Sequence, residues 1–276
     1  MKIVVTLDEL RQRRSELKEP VGLVPTMGYL HEGHLSMVRQ ARRECASVVV
    51  SIFVNPTQFG PREDLSKYPR DLQRDMDLLR PAGVDLVWTP TNEVMYPKGY
   101  QTWVTVDELT KPLEGAMRPG HFRGVTTVVA KLFNAALPQK AYFGQKDAQQ
   151  AVVIRRMTQD MNFPIEIVVC PTVREPDGLA MSSRNVYLSP SERKAALVLS
   201  SSLLHAKDAF INGERETKVL RTLVLETLAS EPTVKVEYVS CAHPDTLQEL
   251  DGKVERVLIS LAVLIGKTRL IDNIIL

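Results

Sequence analysis

Two histidines stand three residues apart in the run Met27-Gly28-Tyr29-Leu30-His31-Glu32-Gly33-His34. The run follows an apolar stretch over residues 21–25 that reads as a buried strand, and it leads into a segment with helical spacing. In open α/β sheets, ligands bind beyond the carboxyl ends of the strands. A helix that begins there offers unpaired N–H groups and a positive dipole to a phosphate. Gly33 leaves room where a nucleotide would come close. Imidazoles at that point can donate hydrogen bonds to phosphate oxygens as charge builds in a transition state. One histidine alone reads more readily as an ordinary polar residue at a helix start; the pair after a strand and turn points instead to phosphate chemistry. Zinc would need a further His or Cys at ligand spacing, which the run lacks.

Four other segments carry candidate chemistry. Phe143-Gly144-Gln145-Lys146-Asp147 again follows a short strand-like run and opens a helix. Lys146 would set a mobile point charge at that helix start. Asp147 reads as a cap, and Gln149 and Gln150 as amides able to hold hydroxyl or carboxylate groups. Met181, Ser182, Ser183 and Arg184 place two hydroxyls and a guanidinium on one loop, either a solvated linker or a grip on a leaving pyrophosphate. Asn55 and Gln58 follow a buried strand; turn chemistry accounts for Asn55-Pro56 but not for Gln58 beside Phe59. Residues 114–125, rich in Gly and Arg, form a pocket wall or a surface loop. Gly266-Lys267-Thr268 imitates the end of a P-loop, but Leu261 stands where that motif needs Gly and strands flank it, so it reads as a turn.

The elements that position these residues change character along the chain. Strand-like runs lie at 21–25, 48–54, 84–88, 141–143 and 165–170, several of them apolar on both faces, as buried parallel strands are. Helical spacing fills the gaps: Leu35, Val38, Ala41 and Cys45, then 70–80, 125–137 and 146–161. After about Thr172, Ser189-Pro-Ser-Glu192 forms a capping box opening a helix to about Phe210. A second helix over 216–230 precedes strand-like runs at 234–242, 256–264 and 268–275, the last two joined as a hairpin. The expected fold class is therefore α/β, a Rossmann-like parallel-sheet domain over residues 1–173, followed by a smaller α+β domain over 174–276.

The composition is ordinary. The chain has 276 residues, 44% hydrophobic and 25% charged, with net charge +2. Such a charge excludes a whole-chain basic footprint for nucleic acid and an acidic disordered chain. The three cysteines, Cys45, Cys170 and Cys241, form no C-x-x-C pair, so a reducing, cytoplasmic setting is expected. Apolar runs stop well short of the roughly 20 residues a spanning helix needs, and the first residues lack the apolar stretch of a signal peptide.

PTMGYLHEGHLSMV, SIFVNPTQF, YPR, GAMRPGHFRGVTTVVAKLFN, AYFGQKDAQQ and AMSSRNVYLS occur here in order. H-x-G-H with a later Met-Ser-Ser-Arg loop resembles the nucleotidyltransferase superfamily, which includes class I aminoacyl-tRNA synthetases. The full set resembles the pantoate–β-alanine ligase family, also called pantothenate synthetases. Beyond about residue 190 the resemblance rests only on length and element order. It implies condensation of pantoate with β-alanine at the cost of ATP, through an enzyme-bound pantoyl adenylate, releasing AMP and pyrophosphate. It implies that Met27, Gly28, Tyr29, Leu30, His31, Glu32, Gly33 and His34 contact ATP, with His34 as proton donor. Gly144, Gln145, Lys146, Asp147, Val173, Met181, Ser182, Ser183 and Arg184 match further ATP contacts. Gln58 and Gln150 match pantoate ligands. Some members carry Glu where this chain has Gln145, an exchange that backbone contacts would survive and a carboxylate role would not. Mg²⁺ on the phosphates and a homodimer are also implied.

The residue types suit that chemistry. Adenylation turns a carboxylate with a poor leaving group into a mixed anhydride. In that step charge moves onto the leaving pyrophosphate, where His34, Lys146, Ser182, Ser183 and Arg184 are candidates to stabilise it. The anhydride must be kept from water while the amine attacks, so a loop or the smaller domain is expected to act as a lid. An adenylyltransferase acting on a phosphate-bearing acceptor is the alternative, but it would need Lys or Arg near Asn55 and Gln58. A binding module without turnover and an RNA-charging enzyme fit less well, given the retained polar set and the absence of an evident anticodon-binding segment.

Overall fold

The computed structural model describes residues 1–61 and 63–276, which divide into two compact units. The first unit comprises residues 1–144 and 153–171, and the second residues 145–152 and 172–276.

The first unit contains β1 (Lys2–Val4), α1 (Leu7–Ser15), β2 (Val21–Thr26), α2 (Glu32–Glu44), β3 (Ser47–Ile52), α3 (Leu72–Leu79) and β4 (Leu86–Trp88). The short α4 (Asn92–Met95) and α5 (Glu114–Met117) lead to α6 (His121–Ala136), β5 (Lys140–Gly144), most of α7 (Ala148–Asp160) and β6 (Glu166–Cys170). The six strands form a parallel sheet in the order β1-β4-β3-β2-β5-β6. Successive strand residues feed two different cores, which is why these strands read as apolar throughout. Val21, Leu23, Val49, Leu86 and Trp88 pack on one face with Leu10 of α1 and Val125, Val129 and Phe133 of α6. Val24, Val48, Val50 and Val87 pack on the other with Val38 of α2 and Met76 of α3.

From β2 the chain winds outward to β3 and β4; it then returns past β2 to lay down β5 and β6 on the opposite side. The order reverses between β2 and β5, the kind of switch point where α/β sheets leave a crevice. The segment 27–34 emerges there. Besides the four-residue helices α4 and α5, two elements were not anticipated, β1 and α1. β1 is a three-residue edge strand, too short to show a period. α1 buries only Leu10 and Arg14, so its apolar face is minimal; its capping box, Thr6 with Glu9, was the available signal.

The second unit holds α8 (Pro190–Ala195), α9 (Leu197–Ile211), α10 (Thr217–Ala229) and the antiparallel strands β7 (Val234–Ala242), β8 (Leu258–Ile265) and β9 (Thr268–Ile275). β8 is central, and Ile259, Leu261 and Val263 meet Leu199, Leu203, Leu220 and Val224 in one core. The Ser189–Glu192 capping box forms as expected, but the helix it opens is interrupted. Ala196 closes α8 and begins α9. Gly266 turns β8 into β9 with φ +57°, and a side chain there would strike the Glu192 carboxylate. The α/β expectation, a parallel-sheet unit plus a smaller unit of helices and antiparallel strands, holds.

Candidate active site

The segment after β2 is shaped by hydrogen bonds from three directions. The Thr26 hydroxyl donates to the Ser51 carbonyl at 2.8 Å and accepts from the Gly28 N–H at 3.2 Å. Gly28 has φ +80°, and a Cβ there would lie 2.9 Å from Ile52 Cγ2 and 3.0 Å from Asp75 Oδ2. Only glycine meets both demands. Tyr29 follows with φ +50°, a conformation rare for a bulky residue. The Asp75 carboxylate, 1% exposed, holds it there by accepting the N–H groups of Tyr29 at 2.8 Å and Leu30 at 2.7 Å. Arg74 donates to the Leu30 carbonyl at 2.9 Å and lies 5.0 Å from the Tyr29 ring centroid. Burial pushes the Asp75 carboxyl above its usual range, and the two backbone donors only partly offset this. Sequence reasoning missed Asp75. The available signal was a carboxylate on the face of α3 that also carries the buried Met76 and Leu79.

The two histidines cap α2 reciprocally. His31 is the N-cap, and its Nδ1 accepts the Gly33 N–H at 3.1 Å. His34 Nδ1 accepts the His31 N–H at 3.3 Å, and the rings lie 4.1 Å apart. This is a capping box built from imidazoles in place of Ser and Glu. Because Nδ1 is the acceptor in both, each neutral ring carries its proton on Nε2. The helix start thus sets two imidazole Nε2–H groups at the positive end of the α2 dipole, a setting that favours an anion.

Gln58 ends a 3-10 turn, Pro56–Gln58, capped by the fully buried Asn55. Asn55 Nδ2 donates to Gln58 Oε1 and to the Gly124 carbonyl, both at 3.1 Å. Its Oδ1 accepts from the Thr57 hydroxyl at 2.9 Å and the Tyr96 hydroxyl at 2.8 Å. Gln58 Nε2 reaches Met27 Sδ at 3.2 Å, so the structure brings Gln58 against the turn that carries Gly28. A second support holds the Gln58 backbone. Its carbonyl accepts from His121 Nδ1 at 2.9 Å, His121 Nε2 accepts from Arg118 Nη1 at 3.2 Å, and Arg118 pairs with Glu63 at 2.5 Å. Burial, helped by the Arg118 charge, pushes the His121 pKa down to about 4, so the ring stays neutral at physiological pH. For Glu63, burial raises the pKa, but the hydrogen bond and charge of Arg118 more than reverse it, leaving the carboxyl below its usual range. The 114–125 segment therefore supports Gln58 from behind. Its Gly124 packs so closely that a Cβ would lie 2.7 Å from the Gln58 nitrogen.

The remaining candidates, apart from Gly144 at the end of β5, belong to the second unit. Gln145, Lys146 and Asp147 form a 3-10 turn, with Lys146 Nζ 3.5 Å from the Asp147 carboxylate, and Gln150 is half-buried in the first turn of α7. The Val173 carbonyl accepts the Met181 N–H at 3.0 Å, closing a small loop. Ser182 caps the 3-10 turn Ser183–Tyr187 by accepting the Arg184 N–H at 3.2 Å, and Ser183 is buried. Residues 27–34, 145–147 and 182–184 lie at or just before element starts, whereas Gln58 and Gly144 lie at element ends.

Comparison with known proteins shows the family. The pantoate-beta-alanine ligase family profile matches residues 2–275. The chain is 59% identical to the pantothenate synthetase of Roseiflexus castenholzii over 276 residues, covering 100% of this chain and 99% of that protein. It is 57% identical over 278 residues to the pantothenate synthetase of Thermoanaerobacter sp. strain X514, covering 99% and 98%. A crystal structure of pantothenate synthetase from Thermus thermophilus superposes with a TM-score of 0.95 at 51% identity, covering 99% of both chains. Pantoate-beta-alanine ligase from Francisella tularensis, complexed with beta-gamma ATP and beta-alanine, gives a TM-score of 0.81 at 35% identity, covering 99% and 97%. With that coverage, a parallel sheet reversing at β2 and a histidine-capped helix start at the switch point, the chain belongs to the pantoate–β-alanine ligase family.

Proposed function

We propose that the chain activates pantoate as an adenylate on residues 27–34 and that Gln58 and Gln150 hold the pantoate. The overall reaction is the ATP-dependent condensation of pantoate with β-alanine to pantothenate, with AMP and pyrophosphate released. A pantoate carboxylate oxygen attacks the α-phosphorus, and the α–β bridging oxygen leaves with pyrophosphate. The Nε2–H groups of His31 and His34 donate to phosphate oxygens as that charge develops. Lys146 and the Ser182, Ser183 and Arg184 set stabilise the leaving group. The β-alanine amine then attacks the acyl carbon, AMP leaves, and the amine proton is lost. The lid role expected of residues 174–276 belongs to the same proposal.

The observation that carries this reading is the reciprocal capping of α2, in which each imidazole accepts through Nδ1, together with the contact of Gln58 with Met27 on the turn that leads to it. Mg²⁺ is proposed as an ion carried on the ATP phosphates; such ions keep most ligands as water and phosphate oxygen and take one or two carboxylates. Asp147, half-exposed next to Lys146, is a carboxylate suited to that role. A cytosolic homodimer completes the proposal, supported by the family and by three buried cysteines without disulfides. Light scattering on the eluting protein checks the dimer.

The deciding experiment measures AMP formation from ATP and Mg²⁺ with each acid omitted in turn. AMP release that requires both pantoate and β-alanine, with pantothenate as the product, is the expected result. Folded protein that makes no AMP would overturn the proposal.

A further inference from the structure

The last strand of the chain holds the segment proposed to bind ATP. Asn273 of β9 is 5% exposed, and its side chain makes three contacts with the 3-10 turn Gln145–Asp147. Nδ2 donates to the Gln145 carbonyl at 3.0 Å and to the Lys146 carbonyl at 2.8 Å. Oδ1 accepts from Gln145 Nε2 at 2.9 Å. Two carbonyls facing one end of the amide fix its orientation, since only the NH₂ can serve both. The preceding residue, Asp272, is 1% exposed and accepts Arg174 through both oxygens, at 2.6 and 3.0 Å; Arg174 also donates to the Gly178 carbonyl at 3.1 Å. Two adjacent residues of β9 thus hold the turn carrying Lys146 and the loop that begins at Val173.

We infer that Asn273 is a positioning residue for Lys146: by pinning the carbonyls on either side of that residue's amide nitrogen and Cα, it sets where the ammonium group can reach. The inference rests on the proposed role of Lys146. It also accounts for glutamine at position 145. With Nδ2 committed to two carbonyls, Asn273 presents an acceptor to residue 145, and glutamine supplies the donor. A glutamate there would set a carboxylate against Oδ1, so Gln145 and Asn273 form a matched pair.

The test compares wild type with Lys146→Ala and Asn273→Ser in single-turnover adenylation, with ATP and pantoate varied separately and melting midpoints recorded. Serine keeps one donor without burying a charge and cannot serve both carbonyls in the same geometry. Expected is a loss of at least about fivefold in adenylation rate or in ATP KM, below the roughly 100-fold that a 1 Å displacement can cost. Pantoate KM should stay within about twofold, a split that general loosening of the fold would not produce. Asn273→Asp, isosteric but without the donor, should be at least as impaired; it stands in if the serine variant does not fold. If Lys146→Ala is defective while folded Asn273→Ser matches wild type, the inference is overturned and the role of Lys146 stands. Equal losses toward ATP and pantoate, with a lowered midpoint, would also overturn it. Full adenylation by Lys146→Ala would instead remove the reading on which the inference depends.

Discussion

His34 has one observed duty and one proposed duty, which ordinary mutagenesis confuses. Its Nδ1 accepts the His31 N–H and so helps start α2, while its Nε2–H is the proposed donor to phosphate. Replacement by alanine removes both. Loss of the cap costs about 0.5–2 kcal/mol of stability, and loss of one preorganised donor costs about 10²–10³ in rate. Glutamine separates them, because Gln at the third helical position completes a capping box. We expect His34→Gln to recover most of the urea midpoint lost in His34→Ala but little of the adenylation rate, with pantoate binding near wild type in both. Adenylation restored by glutamine would mean that the histidine is structural. Gln58→Ala should raise pantoate KM by about tenfold or more and leave ATP KM within a few-fold. Unchanged pantoate constants would take Gln58 out of the site.

At the scale of elements, two close contacts determine where those side chains stand. Asp75 carries α3 onto the turn after β2 by accepting two N–H groups at once. In Asp75→Asn one of them would face an amide NH₂, leaving a buried donor unmet at about 1–3 kcal/mol. A lowered urea midpoint together with weaker ATP binding is expected; ATP affinity that survives the destabilisation would show that the turn does not shape the nucleotide site. Gly124 lets α6 touch the Pro56–Gln58 turn, and an added methyl has backbone atoms on its far side, so the turn must move. Overpacking of this kind costs about 1–3 kcal/mol. Gly124→Ala should therefore weaken pantoate handling more than ATP handling, as steady-state constants for each substrate would show. Most of these elements could be anticipated: the five strand-like runs became β2 to β6, and the spacing of Leu35, Val38 and Ala41 became α2. Their contacts could not, since Asp75 and Tyr29 are 46 residues apart.

For the whole molecule, acid stability offers a check on the support behind Gln58. Burial holds His121 at about 4 in the folded chain, against 6.5 for an ordinary histidine. A folded pKa below the unfolded one means that the unfolded chain binds the extra proton first. Stability is then full above about pH 6.5 and falls as pH drops toward 4, by about 3 kcal/mol. Asp75, whose pKa is raised, works in the opposite sense at the acid end, so the two must be separated by comparing proteins. The stability gap between wild type and His121→Gln should narrow between pH 7 and 4.5 in urea titrations. Parallel curves would remove His121 as the cause.

The sequence by itself marked the residues proposed to carry the chemistry and the element ends near which they lie. Strand runs, capping patterns and glycine turns report interactions within a few residues, and such interactions leave a period or a spacing to read. The tertiary structure alone decided what holds those residues still. Asp75 beneath Tyr29, Tyr96 on Asn55, the Glu63–Arg118–His121 chain behind Gln58 and Asn273 under Lys146 all join distant parts of the chain. A lone Asp in α3 or an Asn in the last strand has no distinctive neighbours in sequence. Its role arises when packing buries it and leaves a backbone N–H or carbonyl as the only partner able to satisfy it.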